Sequence, residues 1–188
     1  MHGEEPYQEI VDVAAGNQVN MIIMGRHGRT GLLKLMMGSV TARVVGHAPC
    51  NVLIIPPDAK LVCKNILVAT DGSRFSDAAA REAICIAKQC KSPLIAISVA
   101  SSDIEIASAK ENVKKLLDVA AKEDVKAEGL TCTGKPYEVI VETARQKLVD
   151  LIVLGSHGRT GIERLLMGSV TERVIGHSET AVLVVEAE

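Results

Sequence analysis

Aromatic side chains are scarce in this sequence of 188 residues, which has no tryptophan, one phenylalanine and two tyrosines. Proteins that bind single-stranded nucleic acids stack the bases on aromatic side chains beside a positively charged groove. The net charge is −2, and the lysines and arginines form no basic block. A nucleic-acid partner is therefore not expected.

Long apolar runs and cysteine motifs are also missing. No run approaches the roughly 18 apolar residues of a membrane-spanning helix, and residues 1–8 lack the basic-then-apolar pattern of a signal peptide. The five cysteines include no CxxC pair and no metal-finger spacing. We expect a cytoplasmic protein with reduced cysteines, no membrane partner and no metal site.

One glycine-rich stretch occurs twice. The first copy, GRHGRTGLLKLMMGSVTARVVGH, begins at Gly25, and the second, GSHGRTGIERLLMGSVTERVIGH, begins at Gly155. At an offset of 130 residues, 16 of the 23 positions are identical. The flanking segments PYQEIV and PYEVIV align at the same offset. The sequence therefore contains an internal duplication.

The second copy belongs to a longer unit than the first. The segment KNILVATDGS at Lys64 has no counterpart, because the same offset would place one before Met1. We predict the C-terminal half of a domain over residues 1–57, a linker over 58–63 and a complete domain over 64–188. The alternative is that the natural protein starts earlier than Met1.

Strands and helices are predicted to alternate in the complete domain. Short apolar, β-branched runs such as NILVAT (65–70) alternate with stretches of helical spacing such as DAAAREAICIAKQC (77–90). This alternation predicts an α/β fold with a parallel sheet and helices on both faces.

The second glycine-rich copy has the spacing Gly-x2-Gly-x9-Gly-Ser, beginning at Gly155. Open α/β sheets bind ligands at the carboxyl ends of their strands, and a helix N-terminus there offers unpaired N–H groups and hydroxyls to a phosphate. The spacing matches neither a Walker loop nor the dinucleotide fingerprint. The alternative is that the glycines only make turns and Ser169 caps a helix.

This spacing, together with the segment ATDGS at residues 69–73, resembles the nucleotide-binding members of the universal stress protein family. The resemblance covers essentially the whole chain. It implies a Rossmann-like, open, five-stranded parallel sheet of order 3-2-1-4-5, with ATP (or AMP or ADP), with or without Mg²⁺, at the switch point. It also implies that NVLII (51–55) pairs antiparallel with AVLVV (181–185).

The resemblance further assigns site residues. Asp71 is expected near the ribose and phosphates, although it could instead begin the following turn, and Val99 is expected to hold the adenine through its backbone. Arg159 either reaches a phosphate or is merely solvated. The other expected ligand-binding residues are Ala69, Thr70, Gly155, His157, Gly158, Gly168, Ser169, Val170 and Thr171.

The first copy keeps only the phosphate half of such a site, at Gly25, Gly28, Gly38, Ser39 and Thr41. Without strands one and two it is expected to bind no ATP tightly, although it could hold a phosphate or sulfate. The strand NMIIMG (20–25) would be left as an apolar sheet edge. We expect a second copy of the chain to cover it, making a homo-oligomer.

The function expected from the resemblance is an ATP-binding regulator of a stress response. No catalytic residues are recognised in the motif. Two alternatives stay open: a nucleotide hydrolase, phosphotransferase or self-phosphorylating enzyme on the same fold, and a partner-binding module with a vestigial loop. The sequence names neither the partner nor the stress.

Overall fold

The computed structural model describes residues 5–26, 37–159 and 167–187. Its helices are α1 (Pro6–Gly16), α2 (Ser39–His47), α3 (Arg74–Cys90), α4 (Ile106–Lys122), α5 (Pro136–Gln146) and α6 (Ser169–His177). Its strands are β1 (Met21–Gly25), β2 (Asn51–Ile55), β3 (Ile66–Ala69), β4 (Leu94–Ala100), β5 (Ala127–Thr133), β6 (Leu151–Gly155) and β7 (Ala181–Val185). A short 3-10 helix, Asp103–Glu105, lies between β4 and α4.

These strands form one sheet in the order β1-β2-β7-β6-β3-β4-β5. The five strands β3 to β7 are parallel and have the predicted order 3-2-1-4-5. Strand β2 pairs antiparallel with β7, with Leu53 opposite Leu183, as the resemblance predicted. Strand β1 then pairs parallel with β2 at the outer edge. The predicted α/β fold class is confirmed.

Helices pack on both faces of the sheet, as predicted. One apolar core joins residues of α1, α2, α5 and α6 to strand residues such as Ile54 and Ile152. The opposite core joins α3 and α4 to strand residues such as Val68 and Val153. Central strands are buried on both faces, which is why their sequences are nearly continuous apolar runs. Within the described ranges, no helix is long and apolar enough to cross a membrane.

Helix α3 begins earlier than the predicted range 77–90. It starts at Arg74 because the Ser73 side chain caps it, accepting a hydrogen bond from the Ser76 N–H at 3.2 Å. The predicted first strand, 65–70, is shorter by one residue at each end. The N-terminus of α3 therefore lies directly beyond the carboxyl end of β3.

Candidate functional site

A cavity of about 250 Å³ opens at the carboxyl ends of β3, β4 and β6. The chain leaves β3 towards β4 on one side, and β6 leads to β7 on the other, so the strand order reverses here. Open α/β sheets bind ligands at such switch points. All eleven residues expected to bind the ligand in the complete domain line this cavity: Ala69, Thr70, Asp71, Val99, Gly155, His157, Gly158, Gly168, Ser169, Val170 and Thr171.

Close packing against backbone requires glycine at Gly155, and Gly158 lies against the end of the Asp71 side chain. A Cβ atom at Gly155 would lie 2.7 Å from the backbone carbonyl carbon of Phe75, and one at Gly158 would lie 2.8 Å from Oδ2 of Asp71. Gly155 thus lets α3 approach the end of β6. Gly158 lets the Asp71 carboxylate reach the loop. Both glycines also line the cavity.

The N-terminus of α6 points its backbone donors towards the cavity. Gly168 is the N-cap residue and Ser169 the first helical residue, so the alternative in which Ser169 caps the helix is wrong. The first N–H groups of a helix have no partner within it and carry the positive end of its dipole. The Thr171 hydroxyl, expected to face an anion, instead donates to the Gly155 carbonyl oxygen at 2.8 Å.

Asp71 makes the turn contact considered from the sequence and a second contact that the sequence did not indicate. Its Oδ1 atom accepts a hydrogen bond from the Ser73 N–H at 3.0 Å, which begins the turn into α3. Its Oδ2 atom accepts one from the Arg159 N–H at 2.8 Å, which fastens the glycine loop to the end of β3. A carboxylate has about four acceptor positions, so Asp71 keeps capacity for a ligand.

An ion pair that the sequence did not indicate crosses the mouth of the cavity. The Arg159 Nη2 atom donates to Glu105 Oε1 at 2.8 Å, and the Ser101 N–H donates to Glu105 Oε2 at 2.8 Å. These two interactions, the backbone bond first, lower the pKa of Glu105 below its usual value. Glu105 belongs to none of the motifs recognised in the sequence. The one sequence feature that could have pointed to it is its position four residues after Ser101, whose N–H group donates a hydrogen bond to it.

The deep wall of the cavity is apolar, and its histidine packs on an aromatic ring. Ile97, Val99 and Ile140 supply apolar surface suited to a flat ring system. The His157 ring lies 5.1 Å from the Phe75 ring, centroid to centroid. His177 ends α6, with Nδ1 2.8 Å from the Arg173 carbonyl oxygen. Among the described residues, no group of three or more His, Cys, Asp or Glu side chains forms a metal site.

The described ends of the first glycine-rich copy make the same hydrogen bonds as those of the second, without the same surroundings. The Gly38 N–H donates to the Arg26 carbonyl oxygen at 2.9 Å, and the Thr41 hydroxyl donates to the Gly25 carbonyl oxygen at 3.1 Å. Ser39 begins α2 as Ser169 begins α6. Within the described sheet β1 is the edge strand, so no strand lies where β3 lies beside β6. Gly28 lies outside the described residues.

Arg26 stands where the second copy has Ser156. Its Nη1 atom donates to the carbonyl oxygen of Ser178, just beyond the end of α6, at 2.6 Å and to that of Gly176, in the last turn of α6, at 3.4 Å. Burial lowers the pKa of its guanidinium, while the charge of Glu179 opposes this effect. This contact, which the sequence did not indicate, fastens the N-terminal segment to the second copy.

Sequence comparison identifies the family. The sequence model of the universal stress protein family matches residues 1–56 and 63–186. This chain belongs to the universal stress protein family. It is 38% identical over 139 residues to a universal stress protein of Methanocaldococcus jannaschii, an alignment that covers 65% of this chain and 82% of that protein. Mycobacterium tuberculosis relatives that match 95% of the chain are longer, and the chain spans 65% of their length.

Solved structures of universal stress proteins have the same fold. A crystal structure from Archaeoglobus fulgidus matches with a TM-score of 0.78 at 24% identity, covering 97% of this chain and 66% of that one. A universal stress protein in complex with cAMP matches with a TM-score of 0.57 at 30% identity, covering 66% of this chain and 98% of that one. The second relative binds an adenine nucleotide.

Proposed function

We propose that this universal stress protein binds an adenine nucleotide, principally ATP, in the cavity at the ends of β3, β4 and β6. It acts as a nucleotide-dependent regulator rather than as a metabolic enzyme. The observation that carries this proposal is the convergence of all eleven expected residues on one cavity at the switch point of the sheet. The cAMP complex of a structural neighbour supports the ligand class.

Each part of a nucleotide has matching chemistry in the cavity. The apolar surface of Ile97 and Val99 suits the adenine, and the start of α6 suits the phosphates. Mg²⁺ is usually held by one or two carboxylates together with substrate phosphates. Asp71 is the one carboxylate in the described lining, so a magnesium ion would arrive with the nucleotide and be shared with Asp71.

Proline substitution at the first residue of α6 tests the phosphate site. Ser169→Pro removes one N–H and one hydroxyl while keeping the helix, because proline is tolerated at N1 and Gly168 already has φ −67° and ψ 140°. Ser39→Pro is the matched control, since Gly38 has φ −62° and ψ 144°. ATP should raise the melting temperature of the wild type and S39P, and raise that of S169P much less. Equal shifts in the two variants would contradict the proposal.

We further propose that residues 1–57 are the C-terminal half of a universal stress domain, joined by a linker over 58–63 to a complete domain over 64–188. The two stretches matched by the family model and the antiparallel pairing of β2 with β7 support this arrangement. The protein is proposed to act in the cytoplasm, where its cysteines would remain reduced thiols.

The outer edge of β1 is proposed to pair with a second copy of the chain. Ile23 on β1 is 64% exposed, whereas Val153, at the same position of β6, is 0% exposed. Strand β1 has neither charge nor proline, while the opposite edge, β5, carries Glu128 paired with Lys147 at 2.8 Å. Uncharged edges invite strand pairing. Sedimentation should show a dimer at micromolar concentration, and a monomer would contradict this part of the proposal.

A further inference from the structure

A continuous path of hydrogen bonds joins three strand ends across the mouth of the cavity. From the end of β4, the Ser101 N–H donates to Glu105 Oε2 at 2.8 Å. Glu105 Oε1 accepts from Arg159 Nη2, beyond β6, at 2.8 Å. The Arg159 N–H donates to Asp71, beyond β3, at 2.8 Å. Ser101, Arg159 and Asp71 all line the cavity, so the Glu105–Arg159 ion pair links opposite sides of its opening.

Arg159 is also the one lysine or arginine among the described residues that line this cavity. A guanidinium suits both carboxylate and phosphate, because its fork of donors matches two oxygens at once. Glu105 and a nucleotide phosphate would therefore use the same donors. The Arg159 side chain is 50% exposed and that of Glu105 is 30% exposed, so the pair is accessible to exchange.

We propose that Glu105 determines nucleotide selectivity by competing with the phosphates for Arg159. This inference rests on the proposed nucleotide site. A nucleotide with a β- and γ-phosphate that recruits Arg159 must break the Glu105–Arg159 pair, whereas AMP, with a single phosphate held at the start of α6, leaves the pair intact. Glu105 thus lowers the affinity for ATP and leaves that for AMP unchanged.

The size of the effect follows from the exposure of the pair. Partly exposed ion pairs change a dissociation constant by up to about fivefold. Glu105→Gln keeps the shape of the side chain and its acceptor for the Ser101 N–H while removing the charge. We expect E105Q to bind ATP about three- to fivefold more tightly and to change AMP binding by less than about 1.5-fold.

Calorimetric titration of ATP and AMP into four variants tests this inference. Glu142→Gln is the charge-matched control, because Glu142 pairs with Arg145 on α5 and does not line the cavity. It should leave both affinities unchanged. In Arg159→Gln, ATP should bind more weakly, and adding E105Q should no longer tighten it.

The outcomes separate this inference from the function on which it rests. An equal gain for ATP and AMP in E105Q, or the same gain in the Arg159→Gln background, would show that Glu105 acts only through general repulsion and would overturn the inference. A wild-type protein that binds neither nucleotide would overturn the proposed function itself. Tighter ATP binding that requires Arg159 supports both.

Discussion

The two glycine-rich copies fold alike locally and differ in what surrounds them. In both, the N–H group of the helix N-cap glycine donates to the carbonyl oxygen of the residue that follows the strand. The hydrogen bond is 2.9 Å long for Gly38 and 2.8 Å long for Gly168. In both, a threonine hydroxyl donates to the carbonyl oxygen of the last residue of the strand. Among the described strands, β6 lies beside β3 and packs against α3, whereas β1 is the edge strand, so the described wall opposite the second copy has no counterpart beside β1. The motif thus specifies the turn, while the rest of the domain makes the site.

The largest expected difference between the copies comes from their first glycines. Gly155→Ala should lower the free energy of unfolding by about 3 kcal/mol, because the new methyl group would overlap the Phe75 backbone. Gly25→Ala, at an exposed strand end, should change it by less than about 0.5 kcal/mol. Denaturant titration of both variants checks this, and similar losses would contradict the difference in packing.

Arg26 provides the next comparison, because the second copy has serine at that position. Arg26→Gln should lower the free energy of unfolding by about 2 kcal/mol, since it removes charged hydrogen bonds to buried carbonyl groups beyond α6. Arg43→Gln is the control: Arg43 forms an exposed pair with Glu5 and should contribute less than about 0.5 kcal/mol. Equal effects would mean that Arg26 does not fasten the two segments together.

The smallest difference in stability between the copies should come from the paired threonines. Thr171→Val and Thr41→Val each lose one hydroxyl that donates to a strand carbonyl, so each should lower the free energy of unfolding by about 1 kcal/mol. T171V should also weaken ATP binding, because Thr171 lines the cavity at the ends of β3, β4 and β6, whereas T41V should leave ATP binding unchanged. Thermal unfolding with and without ATP measures both quantities. A weaker response to ATP in T41V would show that the first copy contributes to binding.

The parallel sheet and its strand order could both be predicted, but on different grounds. Alternating apolar runs and helical segments identify the parallel sheet, and resemblance to the family gave its order and the β2–β7 pairing. Boundaries were less accurate: α3 begins at Arg74, three residues before the predicted range, because the Ser73 cap extends it by a turn. The glycine motif identified the loop that lines the cavity.

The contacts that sequence could not predict join residues far apart in the chain. Glu105 and Arg159 are 54 positions apart, and Arg26 reaches carbonyl groups about 150 positions away. Neither pair belongs to a motif, and their geometry exists only after the sheet has formed. The predicted roles of Gly155 and Thr171 were incomplete for the same reason. Gly155 meets the Phe75 backbone, and the Thr171 hydroxyl meets the Gly155 carbonyl oxygen, only in the folded chain.

The central claim is that only the second copy holds a nucleotide. It is tested most directly by the stoichiometry of ATP binding in a calorimetric titration carried to saturation, with the bound nucleotide then quantified by mass spectrometry after denaturation. We expect one ATP to bind per chain. Two per chain would mean that the first copy still forms a working site, and none would mean that the cavity at β3, β4 and β6 does not bind ATP.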